Sequence, residues 1–204
     1  MVNCERKPER KKMELSQAIL SYLKAVPKAE LHVHLEGAIH PETLLTLARR
    51  NRVDLPATNV DELRRWFAYR DFNHFVGIFF AVSQCLKTVE DYELIVYEFG
   101  KEMKRQNVRY AEVTFSASTH YYPQGIAHDV YFTGLNRGRE LARQEFGVEM
   151  RWVFDIVRDV RDEFERARRA DFTTRVAIEC MRDGVVALGL GGNEAGYPPE
   201  QFAY

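Results

Sequence analysis

Short segments with alternating apolar and polar residues are separated along the chain by longer segments with helical periodicity. Alternation over roughly four to eight residues is typical of a strand, and apolar residues recurring at intervals of about three and four residues are typical of a helix. The predicted strands are 29–35, 108–116, 149–157 and 185–190, and the predicted helices are 16–25, one beginning near 41, 61–105 with breaks near 69–72 and 88, 128–146, and 161–183. Strands that alternate with helices predict an α/β fold with a parallel sheet.

The first predicted strand has an ionisable residue at every second position. These residues are Glu30, His32, His34 and Glu36. Side chains along a strand alternate between its two faces, so all four are expected on one face. A strand of a doubly wound sheet is buried on both faces and reads as a continuous apolar run, which this strand does not.

The second predicted strand repeats this arrangement. Its polar positions are Glu112, Thr114 and Ser116, and its apolar positions are Ala111, Val113 and Phe115. Neighbouring parallel strands with apolar outer faces and polar inner faces are typical of a closed barrel whose outside is covered by helices. In such a barrel the functional site lies at the carboxyl-terminal mouth, so we expect the polar side chains of both strands to contribute to a site there.

The spacing of His32 and His34 is compatible with a shared metal ion. Their Cα atoms are expected about 6.6 Å apart at a rise of ~3.3 Å per residue. Two imidazoles at that distance can converge on one zinc ion held at about 2.1 Å from each nitrogen. The spacing is equally compatible with two half-exposed histidines on an edge strand, and it does not by itself decide between the two interpretations.

Composition excludes several classes of protein. The 29 basic and 30 acidic residues nearly cancel, so no strong basic field favours binding to nucleic acid. No apolar stretch approaches the roughly 20 residues of a membrane span, and residues 1–12 form a charged tail unlike a secretory signal. Cys4, Cys85 and Cys180 are too few and too widely spaced for a disulfide framework or a cysteine zinc site. We expect a soluble, cytoplasmic protein without nucleic-acid or membrane partners.

A longer string around the two histidines resembles the opening of the adenosine deaminase family, within the amidohydrolase superfamily. The string is PKAELHVHLEGA at 27–38, and matching strings follow in the same order at 109–116 and 189–194, on the second and fourth predicted strands. The resemblance implies a (β/α)8 TIM barrel. About the first four βα units of a single barrel domain are then expected in residues 27–204, preceded by a tail and short helix in 1–26.

The same resemblance implies an activity. Members of the family hydrolyse a 6-aminopurine nucleoside such as adenosine to the 6-oxopurine and release ammonia, using zinc. Segments 71–75, 151–156 and 189–192 resemble the branch that acts on aminodeoxyfutalosine, a menaquinone precursor that carries an adenine. Glu36 instead resembles general bacterial adenosine and adenine deaminases. Adenine and aminodeoxyfutalosine are therefore alternative substrates.

Four residues acquire roles from the resemblance. His32 and His34 match the first two ligands of a single zinc ion. Glu36 matches the acidic residue that accepts a hydrogen bond from the sugar of the substrate, where the animal enzymes usually have aspartate. Gly192 matches the glycine whose backbone amide meets the purine ring, and a glycine lets the backbone approach a flat ligand closely.

An apolar stripe lies on the helix predicted after residue 71. It consists of Phe72, Phe75, Val76 and Phe79. By resemblance this helix covers the substrate mouth, so Phe75 and Phe79 are candidates for a hydrophobic subsite, with ordinary core packing as the alternative. His120 and His128 flank a Tyr-Tyr-Pro-Gln-Gly segment, which predicts a solvent-exposed loop.

The resemblance places the third histidine ligand and the general acid/base residues on strands five to eight, and the 204 residues contain no counterpart of these strands. We therefore assign no catalytic acid or base to this chain. We expect the chain alone to be inactive and to need the C-terminal half of the barrel, in the same or a separate chain.

Two rival interpretations are open to test. A phosphotriesterase-like hydrolase also begins with His-x-His, but it typically uses a carbamylated lysine where the fourth strand here ends in Leu190, Gly191 and Gly192. A non-catalytic scaffold built on half a barrel has no reason to hold stoichiometric zinc.

Overall fold

The computed structural model describes residues 16–202, so the predicted tail 1–12 and Cys4 lie outside the described residues. The strands of this part are β1 (Lys28–His34), β2 (Val108–Phe115), β3 (Glu149–Val157) and β4 (Val185–Gly191). They form one parallel sheet in the order β1-β2-β3-β4. This arrangement confirms the predicted α/β fold with a parallel sheet.

Helices connect the strands. They are α1 (Gln17–Ala25), α2 (Pro41–Asn51), α3 (Val60–Trp66), α4 (Phe72–Gln84), α5 (Val89–Arg105), α6 (Ala117–Gln124), α7 (His128–Phe146) and α8 (Glu163–Glu179). Short 3-10 turns occupy Glu36–Ala38, Met181–Asp183 and Pro199–Phe202. Local signals fix several starts: Pro41 is the first residue of α2, and Thr88 forms a capping box with Asp91 at α5.

The hydrophobic core lies between one face of the sheet and helices that include α5 and α7. Strand β2 contributes Ala111, Val113 and Phe115, and β3 contributes Met150, Trp152 and Phe154, all fully buried. The opposite face of β2 carries its polar positions, Glu112 and Thr114. The predicted division into an apolar outer face and a polar inner face is therefore confirmed for β2.

Glycines let α5 and α7 approach closely. A Cβ atom added to Gly138 of α7 would lie 2.6 Å from both the Glu93 carbonyl oxygen and the Val96 Cβ of α5. We expect Gly138→Ala to destabilise the chain by about 1–2 kcal/mol, because overpacking costs more than the ~1 kcal/mol that alanine gains over glycine in a helix. Urea unfolding followed by circular dichroism measures this.

Gly77 of α4 is the matched control for that substitution. A Cβ atom added there meets no heavy atom within 4 Å. Gly77→Ala is therefore expected to stabilise the chain by up to about 1 kcal/mol through helix propensity alone. Changes of the same sign in the two variants would contradict the close α5–α7 contact.

The segment after β2 differs from the prediction. Residues 117–124 form helix α6 instead of a loop, and His120 is fully buried instead of exposed. The Pro-Gln-Gly signal marks only the end of this helix, at Gly125. Its first turn is rich in small polar residues without apolar periodicity, and tertiary packing buries it against the strand ends.

The cysteines of the described residues, Cys85 and Cys180, are buried free thiols. Within residues 16–202, we find no helix with both the length and the apolar character that crossing a membrane requires.

Candidate functional site

Strand β1 brings His32 and His34 to the carboxyl-terminal end of the sheet. Their ring centroids are 5.6 Å apart, and His34 lies opposite Thr114 of β2. A register shift between Glu30 and Val33 interrupts the alternation, so Glu30 lies opposite the core residue Ala111. The strand ends at His34, so the predicted four-residue polar face is wrong, and only the two histidines reach the mouth from β1. A shift of this kind commonly re-aims side chains next to a site.

A cleft of about 350 Å³ lies where the four strands end. Its strand side includes His32, His34, Ser116, Asp155 and Gly192. Its other side is apolar and belongs to helix α4, through Phe72, Phe75, Val76, Phe79 and Phe80. Five of the six residues with predicted roles are therefore brought together: the two histidines, Gly192, Phe75 and Phe79.

The two histidines fit a shared zinc ion. Imidazoles bound to one ion at about 2.1 Å have ring centres at most roughly 6.5 Å apart, and the observed separation is shorter. Nitrogen donors of this kind suit zinc. Within residues 16–202, however, no group of three or more His, Cys, Asp or Glu side chains is arranged to hold a metal ion. The described residues thus offer two imidazole donors at this position, fewer than the four ligands of a tetrahedral zinc site.

Asp155 of β3 is a cleft residue that the sequence analysis missed. It is buried, and its Oδ1 accepts a hydrogen bond of 2.7 Å from the Ser116 hydroxyl. Burial raises the pKa of the Asp155 carboxyl above its usual value; the hydrogen bond from Ser116 opposes this shift, and the nearby Glu36 adds to it. The alternation of β3 could have predicted this placement, because Asp155 shares the inner face of the strand with Val153 and Val157.

Glu36 does not line the histidine cleft; it lies beside it, in the 3-10 turn after β1. It is 1% exposed, and its Oε1 accepts a hydrogen bond of 3.0 Å from the Ser116 amide. It lines a second pocket of about 100 Å³. Phe75 and Phe79 line both cavities, so the second pocket adjoins the cleft across these two rings.

Gly192 follows β4 in a segment that Arg158 holds in place. Its φ of +94° favours glycine, and an added Cβ would lie 2.5 Å from the Asp159 Oδ1. The Arg158 amide donates to the Gly191 carbonyl at 2.9 Å. The buried Arg158 guanidinium donates to the Leu190 carbonyl at 3.0 Å. It also lies 3.6 Å from the Glu194 carboxylate.

Comparison with known proteins identifies related chains. A sequence profile described as adenosine deaminase matches residues 27–204. The chain is 36% identical over 186 residues to an aminodeoxyfutalosine deaminase of Streptomyces avermitilis, a match that covers 89% of the chain and 50% of that protein. It is 35% identical over 191 residues to an adenine deaminase of Cupriavidus taiwanensis, covering 94% and 52%.

A solved structure of an amidohydrolase is also similar to this chain. An amidohydrolase from Burkholderia ambifaria with bound zinc superposes with a TM-score of 0.81 at 26% identity, covering 95% of the chain and 51% of that structure. The structural neighbours are TIM barrels, which confirms the predicted fold class. The chain spans about half the length of the curated relatives it matches.

Proposed function

Because the chain belongs to the adenosine deaminase family, we propose that it supplies half of the active site of a zinc-dependent hydrolase. The reaction is hydrolysis of a 6-aminopurine to the 6-oxopurine and ammonia. The observation that carries this proposal is the placement of His32 and His34 together in the cleft at the carboxyl-terminal strand ends. In this proposal residues 27–204 are the first half of a single barrel domain, and 1–26 are a tail and short helix. The second half belongs to the same chain or a separate one.

In the proposed site, His32 and His34 hold one zinc ion through imidazole nitrogens, and further ligands come from the second half of the barrel. When bound, zinc lowers the pKa of a coordinated water to about 7 and so supplies hydroxide at neutral pH. The second half also supplies the acid and base that move protons to the ring and to the departing ammonia.

The remaining cleft residues bind and orient the purine. Phe75 and Phe79 offer apolar faces against which a flat ring can stack, and they exclude water from the cleft. Gly192 lets the backbone amide approach the ring edge without an intervening side chain. The buried Asp155, held by Ser116, can accept a hydrogen bond from an N–H group of the ligand.

We propose a 6-aminopurine nucleoside as the first substrate to test, because Glu36 offers an acceptor in a pocket beyond the cleft, where a sugar hydroxyl can bind. Adenine and aminodeoxyfutalosine are the alternatives. Relatives named for each of these substrates are about equally similar to the chain, at 35% and 36% identity.

The test is conversion of adenosine, adenine and aminodeoxyfutalosine by the zinc-loaded protein in which this chain is joined to the second half of the barrel. Chromatography measures the 6-oxopurine, and a coupled assay measures the ammonia. We expect at least one of the three to be converted, and the 204-residue chain alone to convert none. No conversion of any of them by the complete, zinc-loaded barrel would refute the proposed reaction.

A further inference from the structure

Three buried polar side chains form a row behind the cleft: Glu36, His120 and Tyr92. The His120 Nε2 lies 3.3 Å from the Glu36 Oε1, and the His120 Nδ1 lies 2.9 Å from the Tyr92 hydroxyl. All three residues are at most 1% exposed. A buried polar row of this kind is stable only if donors and acceptors match along it, so the position of each hydrogen can be worked out.

Aromatic packing fixes the imidazole of His120. It stacks on the Phe115 ring with centroids 4.7 Å apart and an angle of 9° between the planes. The Tyr92 ring meets it edge to face, with centroids 5.4 Å apart. The ring therefore cannot turn away from Glu36 without displacing core side chains.

The contact with the Tyr92 hydroxyl indicates which nitrogen of the His120 ring carries the hydrogen. Burial, and then the nearby Glu36, raise the pKa of Tyr92 well above its usual value, so the hydroxyl keeps its proton and can donate. Its contact with the His120 Nδ1 is shorter than its 3.4 Å contact with the Leu86 carbonyl. A neutral imidazole that accepts at Nδ1 carries its hydrogen at Nε2, and that hydrogen points to Glu36.

Glu36 then has one oxygen occupied and one free. Its Oε1 accepts from the Ser116 amide and from His120, whereas its buried Oε2 has no partner among residues 16–202. The pocket that Glu36 lines is otherwise mainly apolar, with Phe67, Phe75 and Ile78 among its walls. A buried acceptor without a donor is costly, so this oxygen favours a ligand that brings an O–H or N–H group.

We propose that His120 is a positioning residue whose tautomer is set by Tyr92. It donates a hydrogen bond to Oε1 of Glu36 and leaves Oε2 as the single acceptor for a hydroxyl of the ligand. This inference rests on the proposed function, in which Glu36 binds the substrate. His120 itself does not touch the ligand. By restricting Glu36 to one free acceptor, His120 increases the selectivity of the site for a ligand whose hydroxyl reaches that oxygen.

The first experiment determines the tautomer of His120 in the ¹⁵N-labelled 204-residue chain by long-range ¹H–¹⁵N correlation. We expect hydrogen on Nε2, and we expect Tyr92→Phe to change this pattern. Tyr97→Phe is the matched control, because Tyr97 is on the same helix but donates to Glu145 on the outside. Hydrogen on Nδ1 in the unsubstituted chain, or no effect of Tyr92→Phe, would overturn the proposal.

The second experiment uses the complete barrel and compares the dissociation constant of adenosine with those of its three monodeoxy analogues. We expect one analogue to bind roughly ten- to hundredfold more weakly, because it leaves the Glu36 oxygen unpaired. His120→Phe keeps the ring stacking without the donor and should lose this selectivity, whereas His120→Gln keeps a donor and should retain it. If His120→Phe and His120→Gln discriminate equally between adenosine and that analogue, His120 is not a positioning residue. If the complete barrel binds none of these purines, the proposed function is wrong. The first experiment still tests the inference in that case, because the tautomer of His120 is measured without a ligand.

Discussion

Replacing His34 with alanine is expected to weaken zinc binding to the chain by at least about tenfold and to abolish turnover in the complete barrel. Loss of an outer-shell partner of a metal ligand already costs about 10- to 100-fold, and loss of a ligand itself costs at least as much. His32 cannot compensate, because a single imidazole gives no chelate. Isothermal titration of the metal-free chain with zinc at neutral pH measures the affinity.

His40 provides the control for this substitution. It is an exposed histidine at the start of α2 and does not line the cleft. His40→Ala should bind zinc as the unsubstituted chain does, and His32→Ala should resemble His34→Ala. If His40→Ala lowers the affinity while His34→Ala does not, the metal is bound elsewhere.

Replacing Trp152 with alanine should lower the free energy of unfolding by about 3–5 kcal/mol. Trp152 is fully buried in β3, faces the helices, and donates a hydrogen bond of 3.1 Å from Nε1 to the Asn136 Oδ1 on α7. The substitution removes this bond and leaves a cavity between sheet and helix. Urea unfolding followed by circular dichroism measures the loss.

Trp66 is the other of the two tryptophans in the chain and provides the matched control. It is only partly buried at the end of α3. Trp66→Ala should therefore cost about 1–2 kcal/mol, because the free energy lost scales with the apolar contact removed. Equal losses in the two variants would show that the sheet–helix core is not where the structure places it.

Most elements of this fold were predictable because their signals are local. The predicted bounds of α7 and β3 agree with the structure, since helical periodicity and strand alternation run uninterrupted through them. The predicted break near residue 88 agrees with the start of α5, where the structure shows a capping box between Thr88 and Asp91. The order of these elements was enough to predict the parallel sheet.

The errors lie where tertiary contacts override the local pattern. The alternation of β1 is broken by a register shift that depends on its pairing with β2, which a single strand sequence does not reveal. His120 was expected in an exposed loop, and packing against Phe115 and Tyr92 instead buries it in α6. Asp155 was overlooked although the alternation of β3 points it to the inner face.

The roles assigned to the site residues stay predictions. The structure brings His32, His34 and Gly192 to one cleft and places Glu36 in the adjoining pocket. A sequence motif can suggest such roles, but whether the side chains converge depends on the register of neighbouring strands.

X-ray absorption spectroscopy at the zinc edge decides whether His32 and His34 bind the metal. The zinc-loaded 204-residue chain is compared with a variant that carries both His32→Ala and His34→Ala. The expected spectrum of the unsubstituted chain shows two imidazole nitrogens at about 2.0–2.1 Å from zinc, and the double variant loses this signal. A spectrum with the same imidazole contribution in both proteins would contradict a zinc site built on these two histidines.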